Sequence, residues 1–382
     1  MVSAALFLTE IIALSPYVLA ALNGRAAFRR LYTAGFLIRS GQRCSLNDYS
    51  TNRQYPNERI SQDDAEVFDR PIYEALLFVP LSLLTYRTAY VVFFTVNLVL
   101  LGFSIRALRP FLEKLENVWE WLPAAVFLCF FPVALALVQG EDSIVLLTLM
   151  VASAVSFYRG RDLSAGVLLG LTLFKFEFAL PIALLFVLWR RWRIVAGFLV
   201  TGAAVTLISL ALGGVAGLRA SAHGLFSAFL PLVGVRPNSV GPSPAMPTLR
   251  CLFDALAGSH ISPGKVYATA AVCSILLLVW AATRKENFAL AILVALLGCS
   301  HGTIYDAVLL VIPIAMVLDA RLAVTTGKSR LWSRNIASLL FVAPAALFLA
   351  GSSYCSLALM MLGLLMPLRF TSSYSLPTEV AG

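Results

Sequence analysis

The chain is a succession of long apolar runs separated by polar connections. Runs roughly long enough to cross a bilayer recur along the whole chain, for example residues 3–22, 121–138, 266–282 and 352–366. The first run carries Glu10 in its middle and lacks a basic segment ahead of it, so we expect an uncleaved helix and not a signal peptide. The whole pattern predicts an all-α polytopic integral membrane protein with about 11–13 membrane helices.

Composition supports this fold class. Hydrophobic residues make up 59% of the 382 residues and charged residues 13%, whereas soluble domains carry about 25% charged residues. The net charge is +9, but the basic residues concentrate in short connections, which is typical of membrane topology and not of nucleic-acid binding. Five short connections share this enrichment: residues 106–114, 159–162, 190–193, 284–286 and 321–334.

The basic connections also predict a topology. Cytoplasmic loops of membrane proteins are rich in Lys and Arg, so all five are predicted to be cytoplasmic, together with both termini. The connections between them are then extracytoplasmic: residues 23–88, 139–143, the region around Lys175, 214–265 and 300–306. Residues 70–86 are apolar but interrupted by Pro80, which favours a surface or partly immersed helix over a full span.

Residues 163–189 form an apolar stretch that contains Lys175 and Glu177 and has a basic connection at each end. An even number of passes must therefore fit between the two connections. Each arm has about 13–15 residues, or roughly 20 Å of helix, against a hydrocarbon core of roughly 30 Å. We expect a short hairpin with Lys175 at its tip in a protein-lined cavity, an arrangement that often marks a ligand site. One long tilted helix with a snorkelling lysine is the alternative.

Acidic residues at the predicted outer rim are the first chemical candidates. Glu141 and Asp142 lie between two apolar runs, where a carboxylate can act as a base or bind hydroxyl groups. Asp142 directly precedes an apolar run, so an ordinary helix N-cap is an alternative role. His301, Tyr305 and Asp306 lie near one face at the start of another run, where they form either a polar cavity shared with Lys175 or a simple cap.

The remaining candidate is a cation in the second long loop. Arg250 is a potential clamp for a phosphate group, and a solvated loop arginine is the alternative. Cations for an anionic lipid headgroup and carboxylates for a hydroxyl-rich substrate together fit glycosyl transfer from a lipid-phosphate sugar. The chain has neither a Walker-type phosphate loop nor a G-x-G-x-x-G turn, which argues against an ATP-driven pump.

The six cysteines lack metal-ligand spacing. Four of them fall in apolar runs and are expected to be small buried hydrophobes: Cys129, Cys273, Cys299 and Cys355. Cys44 and Cys251 lie in the two longest loops, so a disulfide between them stays open as the less favoured possibility. We expect no cofactor and no divalent metal.

Several segments together carry a family resemblance: residues 28–42, 69–93, 139–193 and 301–314. In this order they resemble glycosyltransferase family 87, a group within the GT-C superfamily, over most of residues 1–320. The most specific segment is 139–193, with its "GEDS" start, its "RGR" turn, and a lysine followed by "LP" and a basic cluster. The resemblance implies one GT-C-like membrane domain over residues 1–382, with its C-terminal helices in 321–382.

The resemblance further implies an inverting glycosyltransferase of a bacterial inner membrane. It would transfer a hexose, typically mannose, from a polyprenyl phosphate to a lipid or glycan acceptor on the periplasmic side. In this family an aspartate in the first outer loop is the usual candidate base, and Ala27 occupies its position here. Glu141 stands where glutamine is more frequent. Four other carboxylates are open as replacements for the base: Asp48, Asp69, Glu141 and Asp142.

We therefore assign three groups of candidate residues, with oligomeric state left open. The catalytic candidates are Asp142, Glu141 and Asp69. The candidates for binding the donor phosphate are Lys175, Arg250 and His301. Further pocket residues are Tyr32, Tyr305 and Asp306. The competing class is a non-enzymatic membrane protein, either a flippase for lipid-linked sugars or an inactive relative. A transporter is expected to show two related halves, and the sequence shows no convincing internal repeat.

Overall fold

The computed structural model describes residues 2–42, 46, 68, 70–227, 247–257, 261–299, 302–322 and 328–368. These residues form an all-α structure. The helices are α1 (Val2–Leu22), α2 (Phe28–Arg39), α3 (Ile72–Ala75), α4 (Tyr86–Leu108), α5 (Glu113–Val118), α6 (Leu122–Leu128), α7 (Phe131–Gln139), α8 (Ser143–Tyr158), α9 (Asp162–Leu171), α10 (Phe176–Leu188), α11 (Trp192–Ser227), α12 (Leu249–Ala257), α13 (Pro263–Ala282), α14 (Phe288–Gly298), α15 (Val311–Leu322), α16 (Lys328–Leu349) and α17 (Cys355–Leu368).

Among the described residues, four helical stretches have the length and composition of a membrane span: Tyr86–Phe111, Asp162–Leu188, Trp192–Val215 and Pro263–Ala282. Helices α6 and α7 add a fifth only if they count as one span, because they meet at an angle of 55°. The sequence pattern predicted a single run over 121–138. Pro132 at the start of α7 explains the bend, since proline lacks the N–H that a continuous helix would need there.

The apolar stretch around Lys175 folds back on itself. Arg191 Nη1 lies 3.5 Å from Asp162 Oδ2, whereas a straight helix would hold these two residues roughly 40 Å apart. A 3-10 segment, Thr172–Lys175, makes the turn, and Lys175 has non-helical dihedrals (φ −116°, ψ 66°). Helices α9 and α10 are therefore the two arms of a hairpin, as expected. The alternative of one long tilted helix is wrong.

Close packing fixes this hairpin against the next helix. Helices α9 and α11 run in the same direction and pack backbone to backbone. A Cβ atom at Gly166 would clash with the carbonyl group of Ile194, and one at Gly197 would clash with the carbonyl oxygen of Leu163. Glycine is needed at both positions because any side chain would separate the helices.

The five basic connections meet at one end of the bundle, which we call the basic end. Arg191 pairs with Asp162 and with Glu286, whose Oε2 lies 2.5 Å from Arg191 Nη2. The rings of Phe111 and Tyr158 have centroids 5.5 Å apart and link a fourth connection, 106–114, to the end of α8. The fifth connection follows Asp319, whose Oδ1 accepts hydrogen bonds from the backbone N–H groups of residues 114 and 115 at 2.8 and 3.0 Å.

The described parts of residues 23–88 pack together at the opposite end. Residues 70–86 form the short helical turns Ile72–Ala75, Leu76–Phe78 and Leu81–Leu83, and no membrane span. They pack on α2, where a Cβ atom at Gly35 would clash with the backbone of Phe78. The ring of Phe28 joins them, with centroids 5.9 Å from Tyr90 and 5.2 Å from Phe93.

A disulfide links the second long loop to the C-terminal helices. Cys251 in α12 is bonded to Cys355, the first residue of α17, with their Cα atoms 5.2 Å apart. The expectation that Cys355 is a simple buried hydrophobe is therefore wrong. The less favoured possibility of a disulfide from Cys251 to Cys44, which lies outside the described residues, is excluded because Cys251 is bonded to Cys355. The sequence placed Cys355 inside an apolar run, but α17 begins there, so its thiol lies at a helix end within reach of α12.

Candidate active site

A buried ion cluster lies at the end of the bundle opposite the basic end. We define it as four carboxyl groups with three cations: Glu74, Glu141, Asp142 and Asp306 with Arg30, Arg70 and Lys175. The four carboxyl residues and Lys175 are each at most 5% exposed. Burial of so many charges is costly unless each has a partner.

Lys175 occupies the centre of this cluster, at the tip of the hairpin. Its Nζ lies 2.6 Å from Asp142 Oδ1, 2.5 Å from Asp306 Oδ1 and 2.7 Å from Ser143 Oγ. Ser143 and Asp306 accept hydrogen bonds from this ammonium group, and Asp142 forms an ion pair with it. Lys175 therefore joins α8, the hairpin and the segment that begins at Asp306.

Asp306 is held from both sides. Its Oδ1 accepts from Lys175 and from Ser143 Oγ, which is 3.2 Å away. Its Oδ2 accepts from the backbone N–H and the hydroxyl of Thr303, each at 2.9 Å. Asp306 thus fixes the start of the 3-10 segment Asp306–Leu310 to the hairpin tip and has a structural role in the cluster.

Asp142 lies between two cations. Arg70 Nη1 is 3.9 Å from Asp142 Oδ2 on the side away from Lys175, and it also donates to the carbonyl oxygen of Phe174 at 3.3 Å. Burial alone would raise the pKa of Asp142, but the charges of Lys175 and Arg70 outweigh it and hold the pKa below its ordinary value. Asp142 stands at the N-cap position of α8, yet its side chain makes no capping hydrogen bond.

Glu74 adds a second carboxyl group beside Asp142. It is 1% exposed in the short helix α3. Burial, together with the charge of Asp142, raises the pKa of Glu74 well above its ordinary value. This shift favours the neutral form of Glu74. With Glu74 neutral, the cluster has three carboxylates and three cations.

Glu141, like Glu74 and Asp142, has a buried carboxyl oxygen without a hydrogen-bond partner among the described residues. Its Oε1 lies 3.4 Å from Arg30 Nη2, and its buried Oε2 has no hydrogen bond to any described residue. Burial raises the pKa of Glu141, although Arg30 opposes this. Ala27 lies nearby, because its backbone N–H donates to the side chain of Gln139 at 3.3 Å. A carboxylate thus lies beside the position where the resemblance leads one to expect an aspartate.

An apolar groove begins beside the ion cluster. It has a volume of about 380 Å³ and lies between α10, α13 and α14. Its charged lining residues are Glu177, two residues beyond Lys175, and Arg250. The Arg250 guanidinium lies 3.9 Å from the centre of the Tyr267 ring, and its Nε is 3.6 Å from Asp254 Oδ2. The remaining lining is almost entirely apolar.

The structure brings some of the predicted residues together and not others. Glu141, Asp142, Lys175 and Asp306 meet in the ion cluster, and Arg250 lines the groove. Tyr32 lies apart from the cluster, with its hydroxyl donating to the carbonyl oxygen of Leu84 at 2.8 Å. Tyr305 is partly buried directly before Asp306. Three predicted residues lie outside the described residues: Asp48, Asp69 and His301.

Three cluster members were not found from the sequence: Arg30, Arg70 and Glu74. Glu74 carried a usable signal, since it is the acidic residue inside the apolar segment "IYEALLF". The reasoning that singled out Lys175, a charge within an apolar run, applies to it equally. Within the described residues, no group of three or more His, Cys, Asp or Glu side chains has the geometry to hold a metal ion.

Fold and site together define a polytopic membrane protein with a buried ionic site at one end of its bundle and an apolar groove beside it. The model of glycosyltransferase family 87 matches residues 70–313. This match covers more than half of the chain, and the chain belongs to that family, which makes it a membrane glycosyltransferase by family. No curated protein and no solved structure matches it. The matched region includes the whole ion cluster except Arg30, and all of the groove.

Proposed function

We propose that this protein transfers a hexose, mannose by the family resemblance, from a polyprenyl-phosphate donor to a hydroxyl group of a lipid or glycan acceptor. The proposal rests on one juxtaposition: an apolar groove lined by Arg250 begins at Phe176 and Glu177, directly after Lys175 of the buried ion cluster. A long apolar chain fits the groove, a phosphate fits Arg250, and a hydroxyl-rich sugar fits the carboxylates.

The groove supports a lipid-linked donor. Its walls are apolar side chains of α10, α13 and α14, and Arg250 is 5% exposed among them. A guanidinium group binds phosphate with two parallel hydrogen bonds. In the transition state the leaving phosphate gains negative charge, so a cation already fixed in an apolar site stabilises it effectively.

Glu141 is the proposed general base. The acceptor hydroxyl oxygen attacks C1 of the sugar, the C1–O bond to the phosphate breaks, and the hydroxyl proton passes to Glu141 Oε2. Polyprenyl phosphate leaves with the bonding electrons, and a single displacement inverts the configuration at C1. A raised pKa brings a carboxylate closer to the value that suits proton transfer near neutral pH.

Lys175 receives a different role from the one the sequence suggested. Because Asp142, Asp306 and Ser143 already surround its ammonium group, we propose that it positions the cluster and that Arg250 binds the phosphate. Direct binding of the donor phosphate by Lys175 stays a prediction, and it requires Lys175 to give up one of these three partners.

Ala27 is the observation that favours an inactive relative. If the missing aspartate were the base, the chain would lack transferase activity. The nearby Glu141, with its unbonded buried oxygen, supports an enzyme whose base has moved from position 27 to position 141. A flippase remains the competing non-enzymatic class, and it would move the lipid-linked sugar without cleaving it.

The decisive measurement is transfer by the purified protein. We expect protein in lipid nanodiscs to release polyprenyl phosphate from radiolabelled polyprenyl-phosphate mannose when membrane lipid extract supplies acceptors. The variant Glu141→Gln, which keeps size and polarity, is the matched control and should release almost none. Movement of the label across vesicles without its release would instead support a flippase.

We also propose that the ion cluster faces the periplasm. The basic end then faces the cytoplasm, and a disulfide at the opposite end suits an oxidising compartment. The two ends of α13 offer a matched test, because Lys265 and Lys285 are both exposed and flank this helix. With Cys44, Cys129, Cys273 and Cys299 changed to Ala, Lys265→Cys should react with an impermeant reagent in intact cells. Lys285→Cys should react only after permeabilisation, and the reverse pattern contradicts the proposed orientation.

A further inference from the structure

Helix α12 has little of its own to hold it in place. It has nine residues, and helices this short are not stable in isolation. Its position therefore depends on its packing against α13 and α17 and on the disulfide from Cys251 to Cys355. The disulfide is the covalent part of that attachment.

The attachment of α12 to its neighbours fixes the position of Arg250. Arg250 directly precedes Cys251, so its Cα lies about 3.8 Å from a covalently anchored Cα. Its guanidinium group lies on the ring of Tyr267 and beside Asp254 at the groove, and Arg250 is 5% exposed. Tyr267 belongs to α13 and Cys355 to α17, so Arg250 is held between two helices that α12 touches.

We propose that the Cys251–Cys355 disulfide is a positioning element for Arg250, so that binding of a lipid phosphate in the groove requires oxidation of this pair. The inference rests on the proposed function of the groove. It adds that the protein becomes competent to bind its donor only after α12 has been joined to α17.

The chemistry is thiol–disulfide exchange. Cys251 and Cys355 together lose two electrons and two protons, and the disulfide of an oxidising dithiol–disulfide protein accepts them and becomes a dithiol. In the reverse direction, dithiothreitol supplies the two electrons and is itself oxidised to a cyclic disulfide. The purified protein can therefore be switched between the two states.

The test measures equilibrium binding of a polyprenyl monophosphate to the full-length protein in nanodiscs. Four proteins are compared with and without dithiothreitol: the wild type, Cys251→Ala/Cys355→Ala, Arg250→Gln, and the combination of all three substitutions. Cys273→Ala is the control for loss of a cysteine that does not line the groove. Peptide mapping without reductant establishes whether residues 251 and 355 are linked in each preparation.

We expect removal of the disulfide to raise the Kd by roughly 10- to 100-fold, the scale of one lost hydrogen bond to an anion. Arg250→Gln should raise it similarly, and the combination should be no weaker than Arg250→Gln alone, within about 2-fold. Dithiothreitol should raise the Kd only of proteins that have both the disulfide and Arg250. This lack of additivity is what separates positioning of Arg250 from a general loss of stability.

Three outcomes overturn the inference. They are the absence of a 251–355 linkage in the wild type, an unchanged Kd after reduction, and losses that multiply in the combined variant. The binding assay involves no turnover, so it is independent of the proposed reaction. Disulfide-dependent binding by a protein that transfers no sugar would contradict the proposed function and still support this inference.

Discussion

The two ends of the molecule each contain one cation between two carboxylates, in very different surroundings. At the basic end, Arg191 pairs with Asp162 and Glu286, and its side chain is 42% exposed. In the buried ion cluster, Lys175 pairs with Asp142 and Asp306, and its side chain is 1% exposed. The lysine group also has Arg70 beside Asp142, but the main difference between the two groups is the access of water.

That difference determines what each group of charges can do. Exposed ion pairs contribute between about 0 and 1 kcal/mol, because water screens them. Buried pairs cost several kcal/mol of desolvation per ion, which their mutual attraction offsets only in good geometry. The arginine group thus fits a role in orienting the chain in the membrane. The lysine group has a cost that stability alone does not explain, which fits a role in the reaction.

The largest expected effect is on the stability of the buried group. Lys175→Met leaves Asp142 and Asp306 buried without their shared cation, so we expect a loss of about 3–5 kcal/mol in the free energy of unfolding. Chemical denaturation in mixed micelles measures it. The double variant Lys175→Met/Asp306→Asn should lose less than Lys175→Met alone, because one unpaired charge is removed. A near-normal stability of Lys175→Met would mean that the cluster is hydrated.

Glu141→Gln tests the base. We expect kcat to fall by roughly 10²–10⁴, the scale of general base catalysis, with little change in melting temperature. In that background Ala27→Asp should restore part of the rate, since it returns a carboxylate to the neighbourhood of Gln139 and residue 141. Glu116→Gln, at the exposed basic end, is the matched control. Full activity of Glu141→Gln would exclude Glu141 as the base.

The pH dependence of the rate provides a finer test. A base acts in its deprotonated form, so the rate should rise with pH through the pKa of Glu141, which burial raises. Arg30 favours the charged form. Arg30→Met should therefore raise that pKa further and move the acid limb of the kcat/KM profile to higher pH. An unchanged or lower position of the limb would assign it to another group.

The smallest expected effect is at the basic end. Arg191→Met removes the cation that Asp162 and Glu286 share, but both carboxylates remain accessible to water. We expect a change below about 1 kcal/mol in the free energy of unfolding, and a smaller one in high salt. If this variant were as unstable as Lys175→Met, exposure would not be the property that separates the two groups.

The sequence predicted site residues that interrupt an apolar run, and it did not distinguish those that lie in charged segments. Lys175 stands inside such a run, and the basic connections at both ends of that run indicated the hairpin. Arg30 and Arg70 belong to segments that already contain several charges, so nothing in their spacing distinguished them. Their importance comes from tertiary contacts with Glu141 and Asp142, which a periodic pattern does not contain.

The fold, too, was predicted only in part. Hydropathy and charge predicted the helical class and the gathering of the basic connections at one end. They did not predict the bend between α6 and α7 or the disulfide partner of Cys251. Both depend on where a helix begins: α7 begins with Phe131 and Pro132, and α17 begins at Cys355. Helix boundaries are among the least certain features of a sequence-based prediction.

The hairpin has a consequence for how the protein is made. Residues Asp162–Leu188 number 27, and as a straight helix of about 40 Å they would cross a hydrocarbon core of about 30 Å. The nascent chain thus carries a segment that the insertion machinery can thread in two ways. Full threading would invert every segment that follows, and would put Asp306 on the opposite side of the membrane from Asp142. In the proposed orientation the arginines on both flanks stay in the cytoplasm, so they act as a proofreading signal during biogenesis, well before any substrate is bound.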